Sequence, residues 1–421
     1  MKIFSVFCLI LLLNRLRLHL SLSLFIGSIV LGLLMGQGPL LLIENLLISM
    51  TRLPTIIIVL IVGLILLMSR IMKDAGHMDR LVKSFTLLSK DGRTVASVMS
   101  ALIGLLPMPG GALFSAPMVE TSLPKHAATC EQKTVLNYWF RHIWEYWWPL
   151  YPGVVLAVAL LEVDIWLYMT IMASMTLVSV LTGVIFLLRP IGKIKGREKG
   201  SLSWSAIKAF LWEIMPVLII VFVIMALAGL TGVLGHLGFP VKIPGALSML
   251  PGLIISMIWV CAANHISFRQ FRSAFMDRNI PPMLFLILAI MVFKGIMTES
   301  GAVFQIRNEL MAYQIPVTLI IIIMPFLSGF ISGLSIGFVG TSFPLIIPMF
   351  QTNHVFEYMS FVVLAYSFGF IGMMFSPVHL CLLVTKDYFK ARLLKCYSQI
   401  ILPAVCVMLT AIAFFFALRA I

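Results

Sequence analysis

One apolar segment carries three ionisable side chains, Arg141, His142 and Glu145, within the sequence VLNYWFRHIWEYWWPLYPG. Asn137, Arg141, Glu145 and Trp148 recur at helical spacing, so a helix places them on one stripe. A guanidinium attracts anions, whereas a carboxyl and an imidazole exchange protons. The pattern predicts an anion site at Arg141 with proton coupling at His142 and Glu145. A structural ion pair between Arg141 and Glu145 is the alternative.

The composition shows why ionisable groups are unusual here. The chain has 421 residues, of which 61% are hydrophobic and 11% are charged, and its mean hydropathy is +1.08. Soluble domains average roughly 45–50% apolar and about 25% charged residues. We therefore expect an all-α polytopic membrane protein. A soluble enzyme, a nucleic-acid binder and a secreted disulfide scaffold are excluded as descriptions of the whole chain. The net charge of +14 is then typical of basic cytoplasmic loops.

Motifs for enzymatic chemistry or metal binding are missing from the sequence. The six cysteines are scattered and form no CxxC pair, so neither a disulfide framework nor a zinc site is predicted. There is no Walker P-loop and no HExxH motif. We therefore expect no catalytic residues, no bound metal and no cofactor other than a coupling ion, H⁺ or Na⁺.

The chain contains about ten segments that are long and apolar enough to cross a bilayer, which needs about 20 residues per helix. We read the first as an anchor that is not cleaved, and 38–52 as a short interfacial piece. The predicted spans are 2–14, 20–36, 54–70, 135–161, 165–188, 209–235, 243–264, 280–298, 358–385 and 396–418.

Two further apolar stretches are predicted to be re-entrant hairpins, about 94–119 and about 315–350. Pro107–Gly111 interrupts the first, and the glycine-rich and serine-rich segment Gly333–Ser342 interrupts the second. The first is flanked on both sides by Lys and Arg, so both of its ends are assigned to the cytoplasm. Both ends of the second are assigned to the outside.

The distribution of positive charge predicts the topology. Of the 30 Lys and Arg residues, 23 fall in segments assigned to the cytoplasm and five in external segments. Positive charge favours the cytoplasmic side. We therefore expect a multi-pass protein of the prokaryotic plasma or inner membrane with both termini outside.

Landmarks recur along the chain at a nearly constant offset. Ile71–Gly76 recurs as Ile296–Gly301, and Pro152 recurs as Pro377, both at an offset of 225. Gly110, Ser115 and Pro117 recur at an offset of 227, as Gly337, Ser342 and Pro344. Each half then has five spans and one hairpin, so the second half is inverted. The predicted organisation is a first repeat (1–188), a basic cytoplasmic linker (189–208) and a second repeat (209–421).

Inverted repeats with broken segments near the middle of the membrane are typical of secondary transporters. Unwound backbone survives at membrane depth only where it lines a cavity. If the two hairpin tips, Pro149–Gly153 and Ser376–Pro377 meet, they form one central site. The predicted substrate-binding residues are Gly110, Gly111, Ser115, Arg141, Tyr151, Gly340, Thr341, Ser342 and Ser376.

This arrangement resembles the ion-transporter superfamily, which includes gluconate permeases, C4-dicarboxylate and citrate carriers, arsenite permeases and sodium/proton antiporters. The segment Leu105–Glu120, LLPMPGGALFSAPMVE, is similar to a prokaryotic family of uncharacterised integral membrane proteins near that superfamily. The resemblance implies two re-entrant hairpins, a site at their tips, an elevator-type movement and a homodimer.

The function expected from the sequence is secondary active transport of a small anionic metabolite, coupled to a proton or sodium gradient. Its partners would be that anion and the membrane lipids, with no nucleic acid. The alternatives are a sodium/proton antiporter, or a lipid-handling protein or intramembrane enzyme. The substrate, the coupling ion, the direction of transport and the roles of Lys294 and His379 stay open.

Overall fold

The described part of the chain is helical throughout and contains no strand. The structure, a computed structural model, describes residues 2–86, 91–107, 111–124, 126–192, 204–239, 246–302, 305, 316–350, 352 and 354–420. Within them, six helices are long and apolar enough to cross a membrane, as expected for a polytopic membrane protein.

The described residues before 193 form ten α-helices. They are α1 (Lys2–Arg15), α2 (Leu20–Leu34), α3 (Pro39–Thr51), α4 (Leu53–Asp74), α5 (His77–Thr86), α6 (Gly92–Gly104), α7 (Ala112–Ser122), α8 (Cys130–His142), α9 (Pro152–Leu161) and α10 (Ile165–Gly183). The last continues as a π-turn at Val184–Leu188.

The described residues after 203 form nine more α-helices. They are α11 (Trp204–His236), α12 (Met249–Ala263), α13 (Phe268–Phe275), α14 (Ile280–Glu299), α15 (Val317–Ser332), α16 (Ser335–Ile346), α17 (Val355–Met374), α18 (Leu380–Phe389) and α19 (Leu393–Arg419). Most of the basic linker predicted at 189–208, from residue 193 to residue 203, lies outside the described residues.

Local sequence explains where these helices begin and end. Thr129 and Gln132 form a capping box at the start of α8, and Asp164 accepts two backbone N–H groups at the start of α10. Gly76 follows α4 and Gly301 follows α14, both at positive φ, a conformation that glycine adopts without strain.

Four interruptions divide helices that sequence reasoning places at membrane depth. They separate α6 from α7, α8 from α9, α15 from α16, and α17 from α18. The third is much shorter than the sequence predicts, because residues 335–342 are helical and only Gly333 and Leu334 are not. The hydroxyls of Thr341 and Ser342 donate to carbonyls four residues earlier in α16, which removes their competition with helical structure.

The helices next to these interruptions pack together to form the core. α9 packs against α16, and α18 packs against α7 and α8, so each part of the chain contacts the interrupted pair of the other part. α15 and α17 touch backbone to backbone, because a Cβ on Gly329 would lie 2.2 Å from the Gly369 carbonyl oxygen. Small residues permit such close packing between membrane helices.

Candidate functional site

The four interruptions meet around one cavity of about 200 Å³. Pro107 comes from the first interruption, and Gly333 to Ile336 come from the third. The second contributes Arg141, His142, Glu145, Tyr151 and Pro152, and the fourth contributes His379, Leu380 and Cys381. Leu66, Met283 and Met373 complete the wall with apolar side chains.

Aromatic side chains fix the interruption between α8 and α9 against α6. Residues 143–146 form a turn of 3₁₀-helix, and Pro152 begins α9. The indole N–H groups of Trp144 and Trp148 donate to the carbonyls of Ala101 and Leu105, at 2.8 and 3.0 Å. The Tyr151 hydroxyl donates to the Gly104 carbonyl. These bonds satisfy carbonyls at the end of α6 that have no partner within the helix.

Two buried tyrosines connect the second interruption to the fourth. Tyr366 on α17 donates its hydroxyl to the Glu145 carbonyl at 2.6 Å, and Tyr138 on α8 donates to the Met374 carbonyl at 3.0 Å. Both rings are fully buried. Such hydrogen bonds stabilise the folded state, because the loss of one would leave a buried polar group unsatisfied. The two hydrogen bonds therefore fix the position of the second interruption relative to the fourth.

Arg141 is 3% exposed and lies where glycines leave room for it. A Cβ on Gly111 would lie 2.3 Å from one guanidinium nitrogen, and a Cβ on Gly104 would lie 2.1 Å from the Arg141 carbonyl oxygen. The Cys381 sulfur is a hydrogen-bonding partner of the guanidinium. A permanently charged group is thus positioned in the cavity wall.

Glu145, His142 and His379 form a buried group beside Arg141. The Glu145 carboxylate lies 3.7 Å from His142 Nε2 and has Ser335 as a hydrogen-bonding neighbour. His142 Nε2 in turn lies 3.1 Å from His379 Nε2. Carboxyl and imidazole groups in contact can pass a proton between them.

Helix N-termini add positive potential to the same cavity. α9 begins at Pro152, α16 at Ser335 and α18 at Leu380, and all three residues line the wall. The first N–H groups of a helix have no partner within it, and the helix dipole is positive at this end. Arg141 together with three such ends forms an environment suited to an anion.

The structure brings together only some of the residues selected from sequence. Arg141, His142, Glu145 and Tyr151 line the cavity, and Gly111 packs on Arg141. The Ser376 hydroxyl lies 3.0 Å from the Cβ position of Gly333, just beside the cavity. Gly110 lies outside the described residues.

Four of the selected residues lie away from the cavity wall. Ser115 donates to the Ala112 carbonyl, and Thr341 and Ser342 donate within α16. Gly340 packs against Ile290. Because α16 begins at Ser335, residues 340–342 lie roughly 7–10 Å further along its axis. Residues 333–335, which form the turn between α15 and α16 and the first residue of α16, line the cavity instead.

Sequence reasoning missed Ser335 and Cys381 as cavity residues and left His379 open. A local signal existed for the turn: Gly333 at φ +65° ends an apolar helix, which is the position that glycine favours after a helix C-terminus. No local signal existed for Cys381, because only the packing of α18 on α8 brings it beside Arg141.

Lys294 lies at a separate cavity of about 470 Å³, which Arg52 and Glu162 also line. The structure pairs Lys294 with Glu162 at 2.9 Å, and Glu299 with Arg52. Lys294 is therefore not part of the central cavity.

Comparison with known proteins gives a family without an assigned activity. No curated protein sequence matches this chain. A family model described as "Protein of unknown function (DUF401)" matches residues 1–418. The chain therefore belongs to the DUF401 family of proteins of unknown function.

Proposed function

We propose that this protein is a secondary active transporter of a small anionic solute, driven by a proton or sodium gradient. The observation that carries the proposal is the meeting of four helix interruptions around one cavity with Arg141 in its wall. Broken helices whose N-termini face a common site are the arrangement by which transporters hold anions at mid-membrane. The cavity of about 200 Å³ suits a solute of a few heavy atoms.

Inverted repeats and re-entrant hairpins are part of the proposal. The order of the described elements supports them: five helices in 2–86 and four in 204–299 are each followed by an interrupted pair, a second interrupted pair and a final helix. The reciprocal packing of α9 on α16 and of α18 on α7 fits two repeats related by a twofold axis. In this arrangement α6–α7 and α15–α16 enter the membrane from opposite sides. Elevator-type movement and a homodimer, in a prokaryotic plasma or inner membrane, complete the proposal.

The proposed division of roles follows from the contacts. Arg141 and the N-termini of α9, α16 and α18 attract the anion, while Glu145 and His142 carry the coupling proton. Their 3.7 Å separation permits exchange of a proton through a small shift of either side chain. Glu145 opposes Arg141 in charge, so protonation of Glu145 would strengthen anion binding. Binding of proton and anion would then be mutually favourable, as coupled transport requires.

The test uses purified protein in proteoliposomes under an imposed proton or sodium gradient. Candidate carboxylates, sugar acids and oxyanions are first selected by a thermal-shift screen, since a ligand at 100 times its Kd stabilises the folded state by about 2.7 kcal/mol. We expect accumulation of one class that collapses when the gradient is dissipated. Arg141→Gln should abolish accumulation, whereas Arg419→Gln, which removes an external pair with Glu357, should retain it.

Other outcomes would replace the proposal. Sodium-dependent proton flux without solute uptake would identify a sodium/proton antiporter, which the buried carboxyl–imidazole group also suits. Product formation without transport would identify an intramembrane enzyme, and stabilisation by lipids alone would identify a lipid-handling protein. Equal uptake by wild type and Arg141→Gln would show that Arg141 does not bind the solute.

A further inference from the structure

We propose that the central cavity binds a transition-metal ion of the Zn²⁺ class through His142, His379 and Cys381. One ligand atom from each residue, two imidazole nitrogens and one sulfur, lie within 4.8 Å of one another. All three residues line the cavity. Imidazole and thiolate are ligands that zinc, cobalt and copper prefer, whereas magnesium and calcium prefer oxygen.

The separations are close to those of a tetrahedral site. Zinc–nitrogen bonds near 2.05 Å and zinc–sulfur bonds near 2.3 Å place neighbouring ligand atoms about 3.3–3.6 Å apart. The observed distance between the Nε2 atoms of His142 and His379 is 3.1 Å. The ligand atoms therefore need to move by no more than roughly 1 Å to close on an ion.

The hydrogen bonds of the two imidazoles favour a cation between them. His142 Nδ1 lies 2.7 Å from the Tyr138 carbonyl oxygen and so donates to it, which leaves the lone pair of Nε2 facing His379. A backbone acceptor for the far nitrogen is the usual support of a metal-binding histidine. Without a metal, His379 Nε2–H must donate to His142, and its Nδ1 then needs a donor. Among the described residues, that buried Nδ1 has no hydrogen-bond partner.

Binding a metal through both Nε2 atoms removes this mismatch. His379 then carries its proton on Nδ1, and the Met373 carbonyl is a hydrogen-bonding neighbour of the same ring. The Arg141 guanidinium is a hydrogen-bonding neighbour of Cys381, and a coordinated metal ion itself deprotonates a cysteine thiol. The Glu145 carboxylate, 3.7 Å from His142 Nε2, adds a second negative charge beside the ion.

The site has three protein ligands and faces a cavity, as catalytic and substrate-binding metal sites do. A divalent ion, the Cys381 thiolate, the Glu145 carboxylate and the Arg141 guanidinium together have a formal charge of +1. One anion would neutralise this charge and fill the fourth position. Metal binding requires only the geometry above. The further role of the ion, as an anchor for the transported anion, rests on the proposed function. With the metal on His142 Nε2, the coupling proton is carried by Glu145 alone.

Cobalt titration of the detergent-purified full-length protein tests the site. Co²⁺ in a tetrahedral site with a thiolate absorbs visibly and shows a sulfur-to-cobalt charge-transfer band. We expect one Co²⁺ per chain, displaced by Zn²⁺. Cys381→Ser should abolish the charge-transfer band, and His379→Asn should weaken Co²⁺ binding by roughly tenfold or more.

The matched control is Cys406→Ser. Cys406 is half-buried like Cys381 but lies on α19, and its replacement should leave the spectrum and the affinity unchanged. Thermal unfolding and gel filtration show whether each variant folds, and His379→Asn decides the question if Cys381→Ser does not. Absence of saturable Co²⁺ binding, or a charge-transfer band that survives Cys381→Ser, would overturn the proposal.

The outcome is separable from that of the transport assay, because cobalt binding needs no gradient and no solute. Saturable Co²⁺ binding in a protein that transports no anion would retain the metal site and reject the transporter. Gradient-driven uptake that is insensitive to chelators, in a protein that binds no Co²⁺, would do the reverse.

Discussion

The ionisable side chains of the cavity differ in how tightly the fold holds them. Arg141 is confined by Gly104 and Gly111, which leave no room for a Cβ. Glu145 lies in a short 3₁₀ segment and is 7% exposed. A fixed cation beside a carboxyl that can exchange a proton is a suitable arrangement for coupling.

Replacing Glu145 with Gln should separate coupling from binding. Glutamine keeps the volume of the side chain but cannot exchange a proton, so we expect gradient-driven accumulation to be lost while exchange of labelled for unlabelled anion continues. Counterflow and uptake assays on the same vesicles measure the two activities. Glu162→Gln, at an exposed carboxylate paired with Lys294, should leave both unchanged. Loss of counterflow together with uptake would show that Glu145 binds the solute.

At the scale of single elements, Gly333 forms the turn between α15 and α16. Its φ is +65°. A Cβ there would lie 3.0 Å from the Ser376 hydroxyl oxygen and 3.1 Å from the backbone nitrogen of His379. The turn therefore rests directly on the interruption between α17 and α18. Glycine is needed both for the backbone conformation and for this close approach.

We predict that Gly333→Ala lowers the thermal stability and also impairs transport. The positive φ costs an L-residue roughly 1–2 kcal/mol, and the added methyl group displaces the neighbouring turn. Gly36→Ala is the matched control, since Gly36 has φ +85° but no atom within 4 Å of its Cβ position. It should show the loss of stability without the loss of uptake. Equal uptake by the two variants would argue against a role for the contact.

The start of α14 is joined to α4 by a pair outside the membrane-spanning segments. Asp277 accepts from the backbone N–H of Asn279 and from Arg70, at 2.9 and 2.7 Å. The Asn279 N–H, followed by the Arg70 charge, holds the pKa of Asp277 below its usual value of 3.8. The Asp277 carboxylate therefore stabilises the folded state.

The direction of that pKa shift predicts a pH dependence. Because the folded-state pKa is lowered, the contribution is complete above the unfolded-state pKa of about 4 and is lost as the pH falls through the folded-state value. Asp277→Asn should therefore lower the thermal stability at pH 7, and the difference from wild type should shrink below pH ~4. Thermal unfolding in detergent across this range is the measurement. A difference that stays constant with pH would contradict the assignment.

At the scale of the whole molecule, the long-range ion pairs agree with the topology predicted from charge. Arg70–Asp277 joins two segments assigned to the cytoplasm, and Arg80 in such a segment pairs with Glu213 near the cytoplasmic end of its predicted span. Arg52–Glu299 and Arg419–Glu357 join segments assigned to the outside, and the external Glu162 pairs with Lys294 near the external end of its predicted span. Packing alone brought these residues together, so the agreement supports the arrangement of spans. The absolute orientation still rests on the excess of Lys and Arg on one side.

Cysteine labelling in intact cells tests that orientation. In a chain whose six cysteines are replaced by serine, Glu162→Cys should react with a membrane-impermeant maleimide added outside. Arg278→Cys, at an equally exposed position on the opposite side, should react only after the cells are opened. The reverse result would invert the topology and place both termini in the cytoplasm.

The outer face of the molecule explains its composition. α11 is apolar over most of its length, yet only 17% of the residues in an apolar 18-residue stretch of it are buried, and Trp212, Phe222 and Leu230 are exposed. In a membrane this surface contacts lipid tails or a second copy. The high apolar content of the chain therefore reflects the apolar surroundings of the outer helices as well as the buried core.

Much of the fold was predictable from local sequence. Each predicted span coincides with a helix or with an interrupted pair, because uninterrupted apolar runs of bilayer length have few other stable structures. Arg141, His142 and Glu145 were identifiable for the same reason, since ionisable groups in an apolar segment are costly and stand out.

Tertiary structure decided which other residues join Arg141, His142 and Glu145 in the cavity wall. The sequence determined helices, their breaks and the charged segment before Pro152, since these depend on hydropathy and on glycine and proline. It did not determine that His379 and Cys381 on α18 would face His142 on α8, because their separation along the chain carries no periodic signal. Nor did it determine that the hydroxyls of Thr341 and Ser342 would bond within their own helix, since whether a serine or threonine faces a cavity or its own helix depends on packing. The central cavity was formed by contacts between helices far apart in the sequence. Those contacts depend on how the helix surfaces fit together and on close approach at glycines.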